Sequence, residues 1–179
     1  MADRLNAAGL GTLLFDLLTP EEAEHRERVF DIGLLSSRLE AAARWAWRWP
    51  AVGNVPVAFF GASTGAAAAL VAASRLRDRV AAVVSRGGRP DLAGDALDLV
   101  GAPTLLIVGG KDRHVLDLNR AARHRLPAET LLEVIPGAGH LFEEPGALER
   151  VAVLAASWVV DHLSGARGGR ATLADVLNA

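Results

Sequence analysis

Three residues carry the chemistry this sequence could perform. Ser63 stands in Gly61-Ala62-Ser63-Thr64-Gly65, a G-x-S-x-G pattern. It lies between the apolar run Val55-Pro-Val-Ala-Phe-Phe60 and the small helix formers Ala66 to Leu70. Asp112 follows the apolar run Thr104–Val108, and His140 follows the run Thr130–Ile135. A serine hydroxyl is a poor nucleophile unless a base takes its proton and a third group orients that base. The pattern is meaningful only where a strand turns straight into a helix. That turn lifts the hydroxyl above the sheet and aims helix N–H groups at the reacting carbonyl. Both flanks of Ser63 meet the condition, and the partners follow in the order acid, then histidine. The expected chemistry is acyl transfer, with Ser63 attacking, His140 as base, Asp112 orienting the imidazole and the Thr64 N–H donating to the oxyanion. So tight a turn also predicts that a Cβ would clash at both glycines.

Other readings compete. Ser63 could be a plain helix N-cap in a glycine-rich turn, a position serine favours. A phosphate loop is excluded, because no Gly-Lys-Ser/Thr follows, and the dinucleotide fingerprint G-x-G-x-x-G is missing. Asp112 with His114 could suggest a metal, yet no second carboxylate or histidine pair at ligand spacing supports one. No metal and no cofactor are expected. His25, His124 and His162 stand in polar helical contexts and read as solvated. Asp16 ends an apolar run, where it faces the pocket or caps the next segment. Glu143 and Glu144 read as capping or solvating the entry to the last helix. Arg86 and Arg89 fall in Ser85-Arg-Gly-Gly-Arg-Pro90, near the site. Arg86 could clamp an anionic substrate group; a solvated loop arginine is the alternative.

These residues need a scaffold that delivers them to one edge. Short apolar runs alternate with longer helical stretches, the signature of βα units and a parallel sheet. Strands are expected at Gly11–Leu17, Val55–Phe60, Val80–Ser85, Thr104–Val108 and Thr130–Ile135. The near-continuous apolar character of these runs fits strands covered on both faces. Helices are expected at Asp31–Trp49, Ala66–Arg75, Leu116–Leu126 and Gly146–Leu163, with a short one at Asp91–Leu99. Ser63, Asp112 and His140 each fall beyond the carboxyl end of a strand, where α/β sheets place their sites. Trp45, Trp47 and Trp49 alternate, so they cannot share a face. They read as partly buried against neighbouring helices, or alternatively as an aromatic wall or homodimer contact.

The chain has 179 residues, enough for one domain with a real core. We divide it into a domain over 1–164 and a Gly-rich tail over 165–179. The composition is 51% hydrophobic and 22% charged, which is globular. With a net charge of −2 and no basic stripe, neither nucleic acid nor an anionic membrane is an expected partner. Cysteine is absent, which removes disulfides, thiolate zinc sites and a cysteine nucleophile, and fits a reducing, cytoplasmic setting. No secretory leader and no spanning segment is expected.

The segments "LLFDLLTPEE", "GASTGAAAAL", "VVSRGGRPDLAG", "APTLLIVGGKD" and "VIPGAGHLFEEPGALE" resemble the α/β-hydrolase fold. More narrowly they are similar to its dienelactone-hydrolase-like branch, which occurs alone or fused to phosphoribosyltransferase domains. The resemblance covers roughly residues 9 to 160. It implies a nucleophile at Ser63, an acid at Asp112 and a base at His140. The family prototype uses cysteine as nucleophile; serine here implies ordinary carboxylester or lactone hydrolysis. Similar proteins begin with further strands and a His-Gly loop that supplies a second oxyanion N–H. The start "MADRLNAAGLGTLLF" resembles the helix after that loop, so the expected fold is N-terminally reduced and lacks one oxyanion donor. The alternatives are a catalytically idle binding module and an interaction domain beside a phosphoribosyltransferase. No phosphoribosyl-binding loop is visible in this chain.

Overall fold

The computed structural model describes residues 1–50, 52–53 and 55–164. The expected tail over 165–179 lies outside the described residues. Four strands form a parallel sheet: β1 (Val57–Ala62), β2 (Val80–Arg86), β3 (Thr104–Gly109) and β4 (Thr130–Ile135). Their order across the sheet is their order in the chain, so β1 and β4 are the edges. The helices are α1 (Ala2–Ala7), α2 (Pro20–Ala23), α3 (Arg26–Val29), α4 (Ile32–Ala46), α5 (Thr64–Leu76), α6 (Arg113–Arg125) and α7 (Ala147–Ser164). The Asp91–Leu99 helix is instead a 3-10 segment, Pro90–Leu99, broken where Gly94 takes a φ of 56°.

The inner strands β2 and β3 are buried on both faces, and alternation sorts the strand residues into two cores. Phe59, Val83 and Leu106 point to one face, where Leu70, Ala73 and Leu76 of α5 and Ala43 of α4 meet them. Val84, Leu105 and Ile107 point to the other, against Val151, Leu154 and Trp158 of α7. This is why the strand sequences read as unbroken apolar runs. Ala66 through Ala69 are fully buried. Their small side chains let α5 lie close on the sheet, which brings its amino end directly above β1.

One expected strand is not formed. Gly11–Leu17 is extended but belongs to no sheet, and Leu13, Leu14 and Phe15 are 51%, 70% and 45% exposed. A strand needs a neighbour for its N–H and C=O groups, and no described strand lies beyond β1 to provide one. Leu10 packs against the α7-side core, and the Leu17 carbonyl accepts from Arg38 at 2.8 Å. With the strand gone, Asp16 is exposed and ends no strand. The cap of α2 comes from Thr19, in a reciprocal capping box with Glu22.

Of Trp45, Trp47 and Trp49, Trp47 is the partly buried one. The Trp47 indole donates to the Val55 carbonyl at 3.1 Å, and the Arg79 guanidinium lies 3.9 Å from its ring centroid. Trp45 and Trp49 are 43% and 52% exposed with centroids 5.2 Å apart.

Candidate active site

The first site residue sits where β1 passes into α5. β1 runs on to Ala62, and α5 begins at Thr64, so Ser63 alone makes the turn. Its φ of 51° and ψ of −121° are a conformation that a residue with a Cβ rarely adopts. Such a turn costs about 1–3 kcal/mol and persists only where the surroundings impose it. Here the imposing bonds are Ser63 N–H to the Arg86 carbonyl at 3.3 Å, and Arg89 N–H to the Ser63 carbonyl at 3.1 Å. Ser63 occupies the N-cap position, yet its hydroxyl makes no capping hydrogen bond. The capping reading therefore does not account for the side chain. Thr64 is the first residue of α5, so no helical carbonyl precedes its N–H by four residues.

The two glycines of the motif differ. A Cβ on Gly61 would lie 2.4 Å from the Gly65 carbonyl oxygen and 2.7 Å from the Ala66 Cα. A Cβ on Gly65 would meet nothing within 4 Å. The expectation of a clash on both sides is corrected: the close approach is of the Gly65 backbone onto Gly61, so only Gly61 needs to lack a side chain.

Asp112 and His140 meet. The His140 Nδ1 lies 2.7 Å from Asp112 Oδ2, while Asp112 Oδ1 accepts the Val115 N–H at 3.4 Å and caps α6. One carboxylate thus starts a helix and holds an imidazole. The loops bearing these two residues follow the adjacent, paired strands β3 and β4. They are stitched together by Gly110 N–H to the Ile135 carbonyl and Lys111 N–H to the Ala138 carbonyl, both 2.9 Å. Ser63 and His140 flank the turn after β2. Gly87 follows the Arg86 carbonyl that Ser63 bonds, and a Cβ on Gly87 would lie 3.2 Å from the His140 carbonyl oxygen. No hydrogen bond joins the Ser63 hydroxyl to His140 among the described residues, and the His140 side chain is 41% exposed.

Arg86 ends β2 with its guanidinium 5.8 Å from the Phe142 ring centroid and its Nε enclosed without a partner. Burial pushes its pKa below the ordinary arginine value. Arg89 is committed elsewhere: it grips Asp91 at 2.8 and 2.6 Å, and that bond raises its pKa. The Asn119 amide, fully buried on α6, donates to the Gly88 carbonyl at 2.9 Å and fixes the same turn. A buried amide facing a glycine loop is a signal the sequence did not yield, because helical periodicity places Asn119 among polar neighbours.

The competing histidines separate. No group of three or more His, Cys, Asp or Glu side chains suited to a metal occurs among the described residues. His25 and His124 are exposed. His162 is not a solvated histidine as expected. It is 16% exposed, bonds the Trp158 carbonyl through Nδ1 at 2.8 Å and approaches Glu129 at 3.4 Å through Nε2. Glu144 does more than solvate a helix entry: its Oε1 accepts the Gly139 N–H at 2.9 Å. No described helix is long and apolar enough to cross a membrane.

Comparison with known proteins agrees with this architecture. A dienelactone hydrolase from Anabaena variabilis is 54% identical, with a TM-score of 0.84 over 90% of this chain and 76% of that one. Est1E from Butyrivibrio proteoclasticus, 17% identical, shares the fold, with a TM-score of 0.64 over 76% of this chain and 73% of that one. Two Mycobacterium tuberculosis proteins, provisionally named phosphoribosyl transferases, are 60% identical over 165 residues. That match takes in 92% of this chain, which spans only 37% of their length. The model of the dienelactone hydrolase family matches residues 11–159, and the chain belongs to that family, within the α/β-hydrolase superfamily.

Proposed function

We propose that this chain is a serine hydrolase that cleaves a carboxylic ester or lactone by acyl transfer. The observation that carries the reading is the Asp112–His140 contact at 2.7 Å on the sheet edge where Ser63 makes its strained, uncapped turn. With Nδ1 given to Asp112, the imidazole keeps Nε2 free as a base. His140 Nε2 takes the Ser63 proton as Oγ bonds the carbonyl carbon, and the Thr64 N–H steadies the oxygen that becomes negative. The C–O bond to the leaving group breaks, and the alcohol departs with the proton from His140. Water then attacks the acyl-serine, again giving its proton to Nε2, and Ser63 is restored. Arg86, which ends β2 and whose carbonyl accepts the Ser63 N–H, is the cation we assign to an anionic part of the substrate. The activity in the names of the longer relatives is not carried over.

One observation favours a second reading, an idle scaffold. Thr64 is the only oxyanion donor we assign, and losing one donor costs about 100- to 1000-fold in rate. A fluorophosphonate probe and p-nitrophenyl acetate separate the two readings. Ser63 labels and Ser63→Ala abolishes turnover if the enzyme reading holds. Equal residual rates in folded wild type and variant would leave the idle scaffold.

A further inference from the structure

We propose that Glu144 is a positioning residue that clamps the loop after β4 to the loop after β3 and so holds the His140 ring on Asp112. The inference rests on the serine-hydrolase reading for its catalytic consequence, though not for its geometry.

The His140 ring itself has little to keep it in place. It follows Gly137-Ala138-Gly139, where Gly137 takes a φ of 75°. Its ring is 41% exposed, and its one described hydrogen bond runs to Asp112. Leu141 beside it is 58% exposed. The anchors are Ala138 and Phe142, each 1% exposed on either side. Phe142 is held at a φ of 58°, a strained value for a bulky residue. Gly139, immediately before His140, has no side chain to pack. Its N–H is taken by Glu144 Oε1 at 2.9 Å, and the same oxygen lies 3.8 Å from the Lys111 Nζ. Lys111 directly precedes Asp112. One carboxylate oxygen therefore faces the residue before the base and the residue before the acid.

Stability does not explain the arrangement. An exposed lysine–carboxylate pair of this length contributes little. Moreover, Glu144 Oε2 is enclosed with no partner, a cost that a freely solvated side chain would avoid. Hydrogen bonds from the Glu144 and Gly139 N–H groups, with the charge of Lys111 last, hold the carboxyl below its usual range. It stays ionised and acceptor-only wherever the neutral imidazole works.

The test uses the full chain and reads the His140 tautomer directly. A neutral imidazole bonded through Nδ1–H is locked in one tautomer, whereas a free one is not. Ring-nitrogen NMR above the histidine titration range should show the Nδ1–H form in wild type. In Glu144→Ala it should show loss of that lock, with kcat lowered about 10- to 100-fold, as for a misplacement near 1 Å, and KM essentially unchanged. Glu144→Gln, which keeps an acceptor, should restore both. If Glu144→Ala fails to fold, Glu144→Asp is read the same way, since its shorter carboxylate cannot reach Gly139. A folded variant that retains the Nδ1–H tautomer overturns the proposal, whatever its rate. If wild type shows no turnover, the hydrolase reading fails, while the tautomer arm still decides the role of Glu144.

Discussion

Replacing Gly61 by alanine tests whether the serine turn depends on backbone contact. The new Cβ would sit 2.4 Å from the Gly65 oxygen, 2.6 Å from its carbonyl carbon and 2.7 Å from the Ala66 Cα, where ordinary contact begins at 3.4 Å. All three are main-chain atoms, so no flexible side chain can yield. β1 and the amino end of α5 must part by about 1 Å. Overpacking of this kind costs roughly 1–3 kcal/mol. For a domain of this size each kcal/mol moves the unfolding midpoint about 2–4 °C, so Tm should fall by roughly 2–12 °C. The displacement carries Ser63 with it, and a shift near 1 Å costs about 100-fold in rate. Gly65→Ala is the internal control. It meets nothing within 4 Å, and alanine is a better helix former by about 1 kcal/mol. Its Tm should hold or rise. Differential scanning calorimetry and the rate of fluorophosphonate labelling read both variants. A Gly61→Ala protein that melts and labels like wild type would refute the close-approach argument.

Two further predictions follow from other parts of the molecule. Arg38 bonds Glu22 at 2.5 and 2.7 Å and, with the Thr19 N–H, lowers the Glu22 pKa from 4.5 to about 2. A folded pKa below the unfolded one gives stability that is present above about 4.5 and lost as pH falls through about 2. The Tm gap between wild type and Arg38→Met should therefore shrink across that window; a gap independent of pH would contradict it. Arg86→Gln should raise KM for a carboxylate-bearing ester about 10-fold or more and leave a neutral ester unaffected, as for a lost charge-assisted bond. Equal changes for both esters would remove Arg86 from substrate recognition.

The sheet was legible because its strands are apolar runs, covered on both faces in β2 and β3. β4 has the predicted bounds, and β2 and β3 each extend one residue beyond expectation. The same signal misled at Gly11–Leu17. An apolar run reports a wish for burial, whereas a strand also requires a hydrogen-bonding neighbour, which depends on the rest of the fold. That Ser63, Asp112 and His140 lie beyond strand ends could be read because the strands themselves could. Glu144 and Asn119 could not, since their roles lie in bonds to the backbone of distant loops, Gly139 and Gly88. Neither residue type nor spacing announces such a bond. Gly65 shows the reverse error, where a motif letter implies a steric need that the backbone does not impose.

If Ser63 is acylated as proposed, the openness of the histidine loop bears on the fate of the acyl group. An imidazole 41% exposed is open to bulk water without a relay. Any nucleophile competing with water for the acyl group would have to bind beside a ring already bathed in solvent. Under the proposed acyl transfer, that geometry favours hydrolysis over transfer of the acyl group to a second alcohol.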